Sequence, residues 1–122
     1  MRAIEIELDL CKPEYMGEPI VIRSGEAHVP SVSALVLDGG IPIDLEGLNV
    51  QFWYAFGDVK GNFKCRKDGC RAVFEIPAID SKRSMDASSA YIAVESENEF
   101  RTTNDFKIHV IGKEERKCSH FE

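Results

Sequence analysis

The sequence predicts an all-β domain, an antiparallel immunoglobulin-like sandwich of two sheets with about seven to nine strands. Three observations support this prediction. Apolar residues recur at every second position in several separate stretches, and turns rich in glycine or proline separate these stretches. No stretch carries the 3.6-residue apolar period of an amphipathic helix. A small barrel is the alternative architecture that the same pattern allows.

The predicted strands follow one another at intervals of about ten residues. The first strand, 3–10, alternates aliphatic with acidic residues, so one of its faces is expected to contact water. A later strand, 48–56, carries apolar side chains on both faces. Residues 78–89 lack this alternation, and we expect one helical turn there. The remaining predicted strands are 19–23, 31–37, 63–65, 70–76, 90–99 and 106–110.

Length and charge limit the function classes that the chain can serve. The 122 residues fit one domain, and we expect a single sandwich over 1–112 followed by a charged C-terminal tail over 113–122. The formal net charge of −6 argues against nucleic-acid binding, which needs a basic surplus to neutralise phosphates. No apolar run approaches the ~20 residues of a membrane span, and the first residues do not resemble a secretory signal.

No known catalytic motif occurs in the sequence. The nucleophile elbow, the phosphate loop, the dinucleotide fingerprint and the His-Glu-x-x-His motif have no counterpart. The histidines have no sequence neighbour that suggests a catalytic pair, and His109 is expected to point outward because it shares the parity of Lys107. We therefore expect no enzymatic activity, no cofactor and no bound metal ion. The other two histidines are His28 and His120.

Two of the four cysteines are predicted to lie close together. If the strands on either side of the Arg66–Gly69 loop pair, Cys65 faces Cys70 on the core side, within disulfide reach. The two residues then form either buried free thiols or a disulfide, and a reducing cytoplasm favours the thiols. A zinc site that adds Cys118 and His120 is a third alternative, disfavoured because those two residues are too close in sequence for a common structural finger.

Three aromatic residues are candidates for a ligand-stacking surface: Trp53, Tyr54 and Tyr91. A core position between the sheets is the favoured interpretation of Trp53. The alternative is that Trp53 and a neighbouring tyrosine stack against a sugar, which requires at least one exposed ring beside polar side chains.

Residues 37–52 carry the most informative pattern. A strand ends in an Asp-Gly-Gly turn and is followed by Pro-x-Asp-Leu-x-Gly and a second alternating strand. Pro42 favours an extended approach, Asp44 can accept hydrogen bonds from the backbone amides that follow, and Gly47 permits a tight turn. This stretch is similar to one in the N-terminal domain of the phage baseplate upper protein family. Two later segments, 70–77 and 101–110, resemble later strands of the same family.

The resemblance implies a non-enzymatic assembly module of the immunoglobulin-like type, with no catalytic residues to carry over. It implies a phage or prophage tail or baseplate component that binds other phage structural proteins and further copies of itself. Such a protein would be made in the host cytoplasm and then enter the virion; without a phage origin it would remain cytoplasmic. Two alternatives stay open, a carbohydrate- or receptor-binding module and a zinc-stabilised adaptor. Residues 3–10 and 101–103 are the strand edges that we expect partners to extend.

Overall fold

The computed structural model describes residues 3–12, 14–25 and 30–114, and these residues form an all-β sandwich, as predicted. The described ranges contain twelve strands, several of them only two or three residues long. In chain order the strands are β1 (Ala3–Asp9), β2 (Ile20–Arg23), β3 (Ser31–Asp38), β4 (Ile41–Pro42), β5 (Asn49–Phe56), β6 (Val59–Lys64), β7 (Arg66–Asp68), β8 (Arg71–Glu75), β9 (Met85–Asp86), β10 (Ser89–Glu95), β11 (Phe100–Thr102) and β12 (Ile108–Ile111).

The strands form three hydrogen-bonded sheets. Sheet I has the order β1-β3-β8-β7, with β4 paired to β3. Sheet II has the order β11-β10-β5-β6, and sheet III has the order β2-β12-β9. The predicted edge segments 3–10 and 101–103 correspond to β1 and β11, which are outer strands of sheets I and II.

Two of the strand pairs are parallel, although the sequence pattern predicted antiparallel pairing throughout. β1 runs parallel to β3, from Ala3 opposite Ser31 to Asp9 opposite Leu37, and β2 runs parallel to β12. The remaining pairs are antiparallel. The β1–β3 pair is parallel because the chain leaves sheet I to form β2 in sheet III and then returns, a crossover that replaces a hairpin.

Side chains from all three sheets meet in one hydrophobic core. Phe52 of β5 is fully buried, and its ring stacks on that of Phe74 from β8 with centroids 4.3 Å apart. The ring of Phe106 lies 5.8 Å from that of Phe52, just before β12. The alternation of buried and more exposed residues along β3 and at the start of β5 follows the predicted two-residue period.

The segment between β8 and β10 differs from its prediction. No helical turn forms within 76–84, and Met85–Asp86 instead pairs with β12 as the short strand β9. The backbone N–H of Ser81 donates to Ser24 Oγ at 2.6 Å, so this segment is fixed against the end of β2. Next to β9, the His109 side chain is 40% exposed, as predicted, and its Nδ1 lies 2.7 Å from Asp86 Oδ1.

Candidate functional site

The outer face of sheet II presents a pair of stacked aromatic rings. Trp53 on β5 lies directly opposite Tyr91 on β10, and both point away from the core because their neighbours Phe52 and Ile92 are fully buried. The two rings are nearly parallel, with an interplanar angle of 6° and centroids 6.4 Å apart. Trp53 is therefore partly buried on the outside of the sandwich and does not occupy the core position that the sequence favoured.

A shallow depression of about 630 Å³ adjoins this aromatic pair. Its polar lining includes Lys60, Asn62 and Ser88. Trp53 Nε1 is buried yet has no hydrogen-bond partner among the described residues. Tyr54 has the opposite parity: its ring stacks on that of Phe52 at 5.5 Å. The structure thus stacks two of the three predicted aromatic residues on each other, and Tyr54 also lines the depression although its ring packs on that of Phe52.

The turn that the sequence singled out leads into β5. Pro42 lies in β4 opposite Leu37 of β3, and Asp44 Oδ1 accepts a hydrogen bond from the backbone N–H of Glu46 at 3.0 Å. Gly47 has a φ of +79°, in the left-handed region that favours glycine. The turn shapes the connection between sheets I and II.

Substituting Gly47 with alanine is expected to lower the free energy of unfolding by about 1–2 kcal/mol. An added Cβ would meet no atom within 4 Å, so the loss comes from backbone strain alone. Urea unfolding followed by circular dichroism measures it. Gly47→Asn is the control, since asparagine tolerates this region better and should lose less. Alanine and asparagine variants as stable as the wild type would contradict the strain argument.

The cysteine positions correct the predicted pairing. Arg66 lies opposite Val73 and Asp68 opposite Arg71, so the β7–β8 hairpin turns at Gly69 and Cys70. Cys70 is therefore a turn residue and does not face Cys65, which is buried just before β7. Both are free cysteines. Burial raises the pKa of the Cys65 thiol to about 12, which keeps it protonated and unreactive at neutral pH.

A polar cluster at one end of sheet I was not predicted from the sequence. Asp9 was assigned to the water-facing side of β1, but its side chain is buried. Its carboxylate accepts hydrogen bonds from the backbone N–H groups of Cys11 at 2.8 Å, Gly39 at 3.0 Å and Gly40 at 2.8 Å. Asp9 therefore fixes the end of β1 to the turn between β3 and β4.

A second carboxylate of the cluster pairs with an arginine from sheet II. Both terminal nitrogens of Arg101 bond to Asp38, at 2.8 and 3.0 Å, in a two-pronged ion pair. The thiol of Cys11 donates to Asp38 Oδ1 at 2.8 Å. This donation to the carboxylate raises the pKa of Cys11 and stabilises the protonated thiol. The cluster joins β11 to sheet I, and it is organised for cohesion rather than for nucleophilic chemistry.

The ion pair predicts a stability loss in acid. Hydrogen bonding by Arg101 lowers the pKa of Asp38 to about 2, below its usual value of about 4. A lowered native pKa contributes stability that is complete above pH ~4 and is lost as the pH falls toward 2. We expect Asp38→Asn to flatten the stability profile between pH 4 and pH 2 in urea titrations. The exposed-site variant Asp58→Asn should keep the wild-type slope; an unchanged slope in Asp38→Asn would contradict the pairing.

The predicted zinc ligands are only partly covered by the structure. Cys118 and His120 lie outside the described residues, as does His28. Across residues 3–12, 14–25 and 30–114, no three His, Cys, Asp or Glu side chains are grouped so that they could hold a metal ion. No helix in these ranges has the length and apolar character of a membrane span.

The fold of this chain resembles that of a solved phage domain. The chain is similar to the N-terminal domain of phage TP901-1 ORF48, with a TM-score of 0.70. The two share one fold. The match covers 91% of this chain and 99% of the other, at 15% sequence identity. It confirms, at the level of the fold, the resemblance to the N-terminal domain of the phage baseplate upper protein family. No family model matches the sequence, and no curated protein matches it.

Proposed function

We propose that the protein is a non-enzymatic structural module of a phage or prophage tail or baseplate. The observation that carries this proposal is the fold likeness to a phage protein domain, which extends over nearly the whole of both chains. A likeness that complete argues for the same kind of building block rather than for a shared substructure. The protein would be synthesised in the host cytoplasm and then incorporated into the virion.

The surface of the domain is compatible with assembly. β1 and β11 are outer strands, and an outer strand can accept a further strand from a partner. Large apolar side chains are also exposed on the surface, and each can add apolar contact area to an interface. Those with more than half of their surface exposed are Met16, Ile41, Val59 and Phe100. The partners would be other virion proteins and further copies of this chain.

The proposal is tested by following the protein through particle purification. Particles are induced in the strain that carries the gene and banded on a density gradient, and an antibody against the purified protein locates it. We expect the protein to band with the particles and to remain there after a wash in high salt. Accumulation in the lysate with none in the particle band would contradict the proposal. Light scattering on the purified protein gives its oligomeric state, which we expect to exceed a monomer.

A second candidate function is supported by the stacked rings of Trp53 and Tyr91. The parallel rings of Trp53 and Tyr91 beside Lys60 and Asn62 combine apolar contact area with hydrogen-bonding groups, the arrangement that suits the face and hydroxyls of a sugar. The same module could then bind a host-surface glycan while it is part of the particle.

A glycan array tests this second function. If it is correct, the wild type binds one class of glycan, and Trp53→Ala weakens that binding by about tenfold, the equivalent of ~1.4 kcal/mol. Phe100→Ala removes an exposed ring elsewhere on sheet II and should bind as the wild type does. Circular dichroism checks that Trp53→Ala remains folded. Absence of binding by the wild type, or equal binding by both variants, would eliminate the aromatic pair as a ligand surface.

A further inference from the structure

The hydrogen bonds at the end of β1 show which of its backbone groups point away from β3. The backbone N–H of Leu10 donates to Leu37 O at 2.8 Å, toward β3. Asp9 faces the other way, since its N–H donates to Asn104 Oδ1 at 3.2 Å and its carbonyl accepts from the Asn104 N–H at 3.1 Å. Backbone groups of successive strand residues point to alternate sides, so Glu7 and Glu5 face outward with Asp9.

The outward hydrogen-bonding groups of Glu5 and Glu7 have no partner within the described part of the chain. β1 pairs only with β3 there, and no hydrogen bond connects either residue to a loop. At Asp9, Asn104 bonds to the outward backbone groups that a neighbouring strand would otherwise pair with. Among residues 3–12, 14–25 and 30–114, the outward edge of β1 is therefore bonded at its end by Asn104 and has no partner over the two preceding outward positions.

A groove of about 880 Å³ runs beside this open edge, a volume within the ~300–1,000 Å³ typical of binding pockets. Its lining also includes Tyr15, Met16 and Pro19 from the segment between β1 and β2, and the groove extends over sheet I to Leu35, Leu37 and Arg71. The Met16 side chain is 87% exposed, and the ring of Tyr15 is held against Phe106 with centroids 6.3 Å apart. The groove thus offers apolar contacts close to the backbone groups of Glu5 and Glu7, which have no partner in the described ranges of the chain.

The groove is also acidic. Four exposed carboxylates line it, against two basic side chains. Such a charge balance favours a cationic occupant over an anionic or neutral one. The exposed acidic residues are Glu5, Glu7, Glu14 and Glu18, the basic residues are Lys12 and Arg71, and the buried Asp9 also lines the groove.

We propose that this groove receives an extended basic segment of another virion protein, which adds a strand to the β1 edge. The inference rests on the proposed structural function and specifies the chemistry of the partner. The segment would bond to the outward groups of Glu5 and Glu7 through its backbone. Alternate side chains would be apolar, against Met16 and Tyr15, and the others lysine or arginine, opposite the glutamate carboxylates.

A synthetic peptide tests the proposal without knowledge of the natural partner. The probe is a capped octapeptide that alternates lysine and valine, titrated into the full chain by isothermal calorimetry. We expect saturable binding with one peptide per chain. A peptide N-methylated at alternate residues cannot form the backbone bonds and should bind at least tenfold more weakly, as should one with glutamate in place of lysine. Equal binding of all three peptides would overturn the proposal.

Variants of the protein locate the binding site on β1. Glu7→Pro removes an outward N–H while leaving the groups of Ile6 and Leu8 that face β3, so it should weaken peptide binding at least tenfold. The matched variant Glu7→Gln keeps the backbone donor and loses one charge, and about threefold weaker binding is expected. Unchanged binding to a folded Glu7→Pro would contradict the assignment; if that variant fails to fold, the N-methylated peptide still decides.

The remaining outcomes separate this inference from the function on which it rests. If the protein bands with particles but does not bind the peptide, the proposed structural function stands and the groove is not a strand acceptor. If the protein binds the peptide through Glu7 but is absent from particles, the groove is a strand acceptor and the proposed phage function is wrong. If Glu7→Pro changes the oligomeric state while the peptide does not bind, the edge joins copies of this chain and the proposed partner is wrong.

Discussion

Replacing Phe52 with alanine is expected to lower the free energy of unfolding by about 3–5 kcal/mol. The side chain is fully buried, and the centroid of its ring lies 4.3 Å from that of Phe74 and 5.4 Å from that of Phe63. Truncation therefore leaves a cavity between sheets I and II. Domains of this size are stable by roughly 5–15 kcal/mol, so this loss would remove a large share of the total stability. Urea unfolding followed by the fluorescence of the single tryptophan, Trp53, measures the loss.

Phe100→Ala is the matched control because it removes the same side chain from the surface of β11. Phe100 is 59% exposed, and its truncation should change stability by less than about 0.5 kcal/mol. Similar losses in the two variants would show that the core does not centre on Phe52. A large loss at Phe100 alone would place that ring in an interface that the single chain does not show.

Asp9→Ala is the second large expected effect, a loss of about 3 kcal/mol. The substitution removes the acceptor of three backbone N–H groups and leaves these donors, at Cys11, Gly39 and Gly40, without a protein partner. Burial raises the pKa of Asp9, but the three hydrogen bonds outweigh burial and the pKa lies below its usual value. The carboxylate is therefore ionised at neutral pH, where its bonds are strongest.

Thermal and urea unfolding at pH 7 measure the effect, with Asp58→Ala as the control in an exposed turn. The control is expected to stay within about 0.5 kcal/mol of the wild type. Hydrogen exchange adds a local measurement, because loss of the Asp9 bonds should expose the amides of Gly39 and Gly40 first. Equal stability of Asp9→Ala and Asp58→Ala would mean that water replaces the carboxylate without cost, contrary to this account.

Alternation in the sequence predicted which side of a strand is buried. It did so for β3 and for the first half of β5, because a side-chain period of two directly gives the face that a residue occupies. The glycine turn at Gly47 was visible because few other residues accept a positive φ. The resemblance in residues 37–52 pointed to the fold that the solved phage domain shares.

Pairing between strands could not be predicted in the same way, since alternation says nothing about neighbours. The parallel β1–β3 pair depends on the chain returning from sheet III, which no local pattern records. The hairpin after Cys65 turns at Gly69 and Cys70, so a short shift in register separated the two cysteines. A two-residue loop with glycine first is a common hairpin turn, and this signal could have located it.

The polar cluster depended on contacts between distant residues. Asp38 and Arg101 are 63 positions apart, and their ion pair forms only once sheets I and II are assembled. Asp9 alternates along β1 with the aliphatic residues as Glu5 and Glu7 do, and this pattern predicted an exposed side chain. Asp9 lies at the end of the strand, however, where the turn at Gly39 and Gly40 covers it. The nearest sequence signal was the Asp-Gly-Gly turn itself, which indicated backbone donors but not the acceptor.

The copy number of this chain in purified particles tests the central claim most directly. Quantitative mass spectrometry with isotope-labelled peptides compares the chain with the major tail protein in the same gradient fraction. A structural module occupies equivalent positions in a symmetric assembly, so we expect one fixed ratio, the same in independent preparations and unchanged by salt washing. A trace amount that varies between preparations and falls with each wash would contradict a structural role.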